Sequence, residues 1–201
     1  MKEKKNSTGI ILAGGLSTRM NGTDKGLLTI NGKPIIEILI GILKPVTDEL
    51  IIIANNGSYN YLGLKVCNDL KKDIGPMGGI YTGLTHSSSE INIVVACDMP
   101  GITRPFLNFL IREFQSGNYE AIVPAYKREL QPMSAAYNKS ILPLVNEFIE
   151  KKKYSMKDVI RNCQHKIITI EDHPEFLGED LFRNVNTEKD YKLLSENKNE
   201  K

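Results

Sequence analysis

A three-layer α/β sandwich built on a mostly parallel sheet is the fold class this sequence predicts, and three features predict it. The runs at residues 10–13, 50–54 and 91–96 are short, continuous and apolar, the pattern of strands buried on both faces. Segments with helical apolar spacing alternate with such runs along the chain. The runs give way to Gly14-Gly15, Asn55-Asn56-Gly57 and Cys97-Asp98, and in open α/β sheets ligands sit beyond the carboxyl ends of the strands.

The elements follow in order. After the first strand and its glycines, residues 27–30 form a short apolar run closed by the turn pair Asn31-Gly32. Pro34 sits where a helix can begin, and Ile35, Ile36, Ile38, Leu39, Ile42 and Leu43 supply its apolar stripe up to Lys44-Pro45. The strand at 50–54 is followed by another at 64–67 that leads into Asn68-Asp69. Gly75-Pro76 marks a loop, and Gly78-Gly79 open a helix that runs to about His86. The strand at 91–96 delivers Cys97-Asp98-Met99-Pro100 to its carboxyl end. Beyond it the pattern predicts a helix at 104–115, strands at 120–124 and 131–137, a helix at 139–150 and a shorter one from Ser155. A strand at 167–170, an irregular segment at 181–187 and a helix at 188–194 close the chain.

Composition limits what such a fold is for. With 201 residues, 41% apolar and 25% charged, the chain fits one domain spanning 1–201, with flexible ends at 1–8 and 195–201. A net charge of +2 from scattered cations argues against nucleic acid as a partner, and the lysine groups at 2–5 and 151–153 read as solvated ends. Cys67, Cys97 and Cys163 are far apart and form no CxxC pair, so neither a disulfide framework nor a zinc site is expected. The apolar stretch after MKEKKNSTG is too short for a signal-peptide core or a membrane span, so a cytoplasmic chain with no membrane partner is expected.

The chemistry concentrates in GIILAGGLSTRMNGTDKGL, residues 9–27. Paired glycines at a strand exit let bare backbone approach a ligand, successive N–H groups can point at an anion, and Arg19 and Lys25 add positive charge. That suits a nucleoside triphosphate; the other reading is a tight turn with two solvated cations. The P-loop is excluded, because Gly26 and Gly32-Lys33 are separated by five residues and Pro34 stands where the hydroxyl should be. The dinucleotide fingerprint also fails, since Gly14 and Gly15 are adjacent and the next glycine is Gly22.

Among the carboxylates, Asp98 is best placed to hold Mg²⁺, which is commonly bound by one or two carboxylates plus substrate phosphates. A loop acid capping backbone N–H groups is its other reading. Asp69, after the strand at 64–67, fits either a nucleotide or metal contact or plain turn chemistry. Lys25 and Arg19 would neutralise charge on a triphosphate and on departing pyrophosphate, or stand exposed. His86, His165 and His173 form no set, and Cys97 has no histidine partner that would make it a nucleophile.

Taken together, LAGGLSTRMNGTDKGL, INGKP, the stretch from Asp69 to GPMGGI, CDMP and NVNT resemble the molybdenum cofactor guanylyltransferases. The likeness runs in order from Gly9 to about Leu194, and the pairing of LAGG-x-S-x-R-M-x-G-x-D-K with a later CD-x-P is highly specific. The resemblance implies a Rossmann-like nucleotidyltransferase sheet and an enzyme that moves GMP from GTP onto the phosphate of molybdopterin, with Mg²⁺ and release of pyrophosphate. It implies that Leu12, Ala13 and Gly14 contact GTP, Lys25 its phosphates, Asp69 the nucleotide, and Asp98 both nucleotide and Mg²⁺. Gly15 and Gly79 would lie beside the base, and Gln131-Pro132 with Asn184-Val185-Asn186-Thr187 near the pterin. Molybdoenzymes or other cofactor-biosynthesis proteins are the protein partners it suggests. Two positions depart from the pattern. Asn21 replaces a common glycine, and Ile53 stands where some members carry a nucleotide-contacting Asn, leaving that contact to Asn55 or Asn56.

A phosphate monoester is already ionised near neutral pH, so such a site needs no strong general base. It must bring two anions together and stabilise the charge on leaving pyrophosphate. The same residues leave open cytidylyl transfer to molybdopterin, nucleotidyl transfer to a sugar or alcohol phosphate, and a nucleotide-binding protein without turnover.

Overall fold

The computed structural model describes residues 7–14, 24–177 and 180–185. Its central strand is β1 (Ser7–Leu12), buried along its whole length. It is central because it pairs in parallel on both sides. The neighbours are β4 (Glu49–Ile53) and β6 (Ile91–Ala96), with Ile10 facing Ile51 and Val94. These are the three apolar runs of the sequence. A strand covered on both faces has no polar side to show, which is why they read as continuous rather than alternating.

Outside β4 lies β5 (Lys65–Cys67), also parallel. On the other flank β9 (Ser134–Asn138) runs antiparallel between β6 and β7 (Ala121–Tyr126), and β10 (His165–Thr169) pairs in parallel with β7. A two-residue strand, β8 (Glu129–Leu130), folds back on β7, giving an eight-stranded sheet among the described residues. A separate small hairpin joins β2 (Thr29–Ile30) to β3 (Lys33–Pro34). Its turn residues Asn31 and Gly32 sit at φ 50° and 75°, as the Asn-Gly pair foretold.

Alternate residues of the central strands face opposite layers. Ile11, Ile52 and Val95 pack toward α1 (Ile35–Leu43) and α3 (Arg104–Gln115), burying Leu39, Phe106 and Leu110. Ile10, Ile51 and Val94 face α2 (Pro76–His86), α4 (Leu142–Glu150) and α5 (Met156–Arg161). None of these helices is long and apolar enough to cross a membrane.

Several elements differ from expectation at their ends. β1 starts at Ser7, three residues early, and α2 starts at Pro76 because proline is favoured at the first helical position. The helix expected at 139–150 opens as a 3₁₀ turn, Lys139–Ile141, capped by the Asn138 side chain. The strand expected at 131–137 starts only at Ser134, as β9. Residues 131–133 form a turn after β8, and the turn between β7 and β8 uses Lys127 and Arg128 at φ 51° and 64°. A left-handed pair without Asn or Gly gives no hairpin signal in a sequence. The 3₁₀ segment Gly57–Leu62 was likewise hidden. The helix expected at 188–194 lies outside the described residues.

At the amino end of the sheet Glu49 accepts from the Ser88 hydroxyl at 2.8 Å, the Ser88 N–H at 3.2 Å and the Thr8 hydroxyl at 3.1 Å. Burial pushes its carboxyl up, but those hydrogen bonds and Lys65 outweigh it, so its pKa lies below the ordinary 4.5. A lowered folded pKa means stability that is present above the unfolded value and is lost as pH falls through the folded one. In thermal melts between pH 7 and pH 3, Glu49→Gln should remove that part of the acid dependence. The effect is at most about 1 kcal/mol, because solvent screens the site. A slope identical to the parent's would show that Glu49 does not contribute.

Candidate functional site

The carboxyl ends of β1, β4 and β6 meet the start of α2 around a cavity of about 330 Å³. The parallel ladders continue past the strand ends and set it. Ala13 N–H donates to the Ile53 carbonyl at 2.8 Å and Cys97 N–H to the Leu12 carbonyl at 2.9 Å. Those bonds place Ala13 and Cys97-Asp98 side by side, although more than eighty residues separate them.

Leu12, Ala13, Gly14, Lys25, Asp69, Gly79 and Asp98, all expected at a site, line this one cavity. Gly15 and Arg19 lie outside the described residues. Lys25 opens the 3₁₀ turn Lys25–Leu27, and its ammonium stands 3.3 Å from Asp98 Oδ2. The other Asp98 oxygen, Oδ1, is buried without a hydrogen-bond partner. A buried carboxylate oxygen without a partner is costly unless something meets it, and a carboxylate oxygen suits a hard cation. Among the described residues no cluster of three or more His, Cys, Asp or Glu could hold a metal alone. A divalent ion on Asp98 would therefore take its other ligands from phosphate and water, the usual arrangement for Mg²⁺.

Asp69 occupies the opposite wall. Its backbone N–H donates to Asn55 Oδ1 at 2.9 Å, and Asn55 Nδ2 donates to Asp69 Oδ2 at 2.8 Å. Leu70 N–H donates to the Thr82 hydroxyl at 3.0 Å, tying the following loop to α2. Asp69 Oδ1 is again buried and unpartnered. Between the two walls, Gly79 keeps the floor open. A Cβ there would stand 3.1 Å from Leu12 Cδ2 and 3.8 Å from Asp69 Oδ1.

Two neighbours of the site have roles the sequence did not assign. Asp24 lines the cavity, and its signal was its place directly before Lys25. Asn55, which with Asn56 was expected to stand in for the asparagine that Ile53 replaces, also fixes Asp69. Ile53 itself lines the cavity with an apolar side chain. Burial and the Asp98 charge push the Cys97 thiol up to about 12, so it stays protonated and makes no nucleophile. None of the three histidines lines the cavity. His173 packs on Phe109, 4.7 Å between ring centres, and His165 Nδ1 lies 3.0 Å from the Cys163 carbonyl.

A mostly parallel sheet whose central strands end at a glycine floor, a lysine and a strand-end aspartate suits a phosphorylated ligand, and the family match places the chain among the nucleotidyltransferases. The chain is similar in fold to molybdopterin-guanine dinucleotide biosynthesis protein A from Archaeoglobus fulgidus. That match has a TM-score of 0.82 and 22% identity and covers 96% of this chain and all of the other. The chain belongs to the family of the MobA-like NTP transferase domain, whose model matches residues 9–167. It is 37% identical over 190 residues to the probable molybdenum cofactor guanylyltransferase of Carboxydothermus hydrogenoformans, covering 94% of this chain and 95% of that protein. It is 33% identical over 180 residues to the molybdenum cofactor guanylyltransferase of Vibrio vulnificus, covering 89% of each.

Proposed function

We propose that this chain is a single-domain, Mg²⁺-dependent molybdenum cofactor guanylyltransferase that moves GMP from GTP to the phosphate of molybdopterin and releases pyrophosphate. One observation carries the reading. Lys25 pairs with Asp98 in the wall of a glycine-floored cavity that Asp69 also lines, and each aspartate keeps one buried oxygen without a hydrogen-bond partner. The names borne by its relatives supply the guanine and the acceptor.

In this reading Lys25 takes the triphosphate, joined by Arg19, and Asp98 holds the metal, which when bound neutralises phosphate charge. Leu12, Ala13 and Gly14 line the nucleotide, and Asp69 meets its N–H or O–H donors. Gly15 and Gly79 are the residues assigned beside the base. The acceptor phosphate needs no base to activate it, which fits a cavity without histidine. Gln131-Pro132 and Asn184-Val185-Asn186-Thr187 serve the pterin end. A cytoplasmic setting, with molybdoenzymes or other cofactor-biosynthesis proteins as recipients, completes the proposal.

Pyrophosphate release with GTP, CTP, ATP and UTP, each with and without molybdopterin, tests it. GTP should be used at least tenfold faster than CTP, and only with the acceptor present. Faster turnover of CTP would overturn the base assignment, and turnover with sugar phosphates in place of molybdopterin would overturn the acceptor.

A further inference from the structure

Tyr59 is fully buried within the 3₁₀ segment Gly57–Leu62, on the layer packed by α1. A phenylalanine would fill that apolar space as well, so the hydroxyl is what needs explaining. It donates to Asp24 Oδ1, a residue far from it in sequence. Burial and then that hydrogen bond push the phenol pKa well above its ordinary value, so it remains a donor at any physiological pH.

Asp24 is in turn the cap of the Lys25 turn. Its Oδ1 accepts from Gly26 N–H at 3.1 Å, and its Oδ2 accepts from Asn56 Nδ2 at 3.3 Å. The turn also rests directly on the phenol, because a Cβ on Gly26 would overlap the Tyr59 hydroxyl. Both the tilt and the height of the turn are thus set by the segment after β4. The turn's first residue is Lys25, whose ammonium reaches Asp98.

We propose that Tyr59, acting through Asp24, is a positioning residue for Lys25. This rests on the reading of the cavity as a nucleoside triphosphate site. A buried tyrosine satisfied by any nearby carboxylate would serve the core alone. This carboxylate also caps the turn that carries the phosphate-facing cation, so losing the hydroxyl frees the lysine rather than only loosening the core. Lys25 is an ammonium on a flexible stem, and its reach toward a phosphate depends on where its backbone is held.

The test is a double-mutant cycle on the full chain, reading Mg²⁺-GTP affinity by calorimetry together with thermal midpoints. Tyr59→Phe should weaken GTP about tenfold in the parent, in line with loss of a hydrogen bond to a charged group. In a Lys25→Met background the same change should weaken it less than twofold, while the drop in thermal midpoint is equal in both backgrounds. Asp24→Ala should give the same pattern, which keeps the test decisive if Tyr59→Phe folds poorly. Equal losses in both backgrounds would overturn the proposal, because Tyr59 would then serve the core, or Asp24 the ligand, without Lys25. No loss in the parent would overturn it too. A parent chain that binds GTP, CTP, ATP and UTP no better than background would overturn the reading of the cavity beneath it.

Discussion

Asp98→Asn should lower pyrophosphate release by about a hundred- to a thousandfold, the scale on which a preorganised group that stabilises reacting charge is lost. The thermal midpoint should stay near the parent's or rise. Asp98 is a mostly buried carboxylate with one oxygen paired to Lys25 and the other unmet. Such a group costs stability that its function requires. Asparagine keeps the shape and removes the charge, so the fold should be relieved while the site loses the carboxylate we propose as the metal ligand. Parallel measurement of turnover and melting separates the two effects. Turnover within a few fold of the parent would refute the role given to Asp98.

The second large effect falls on a residue that lines no cavity wall. A Cβ built on Gly101 would overlap the carbonyl oxygen of Asp180 and crowd its carbonyl carbon. Both are backbone, so neither can swing aside as a side chain would. Gly101→Ala must therefore push residues 180–185 off the loop that follows β6. Those residues bury Leu181 and Val185, and Val185 N–H donates to the Asp98 carbonyl at 2.8 Å. Losing that packing should cost about 2–4 kcal/mol, the range for core residues that can no longer seat. Because the broken hydrogen bond ends on Asp98, turnover should fall as well. Chemical denaturation gives the first quantity and pyrophosphate release the second. A variant as stable as the parent would show that the segment does not depend on this close approach.

Most of the fold was legible because the central strands are buried on both faces and so carry an unbroken apolar signal. Residues 91–96 and 104–115 match their elements end to end. The flank from β7 to β9 was less legible. Its reversal turns on Lys127 and Arg128, residues that sequence rules do not place at positive φ. The cavity was legible where residue type alone states the chemistry, as with Gly14, Lys25 and Asp98. It was not legible where a role is relayed. Asn55 and Tyr59 act on Asp69 and Asp24, and only the juxtaposition of distant strand ends shows those pairs.

The insertion of β9 between β6 and β7 has a consequence for synthesis. β1 is made first, yet it waits for β4 and then β6 before both edges are covered, and long-range parallel pairing is slow. β7 emerges before β9 but has no place on the sheet until β9 lies against β6. Every residue we assign to the nucleotide precedes Met99 in the chain, whereas the strand that covers the open edge of β6 comes afterwards. The cavity is therefore closed only late in synthesis, because Met133, which also lines it, arrives with the turn before β9.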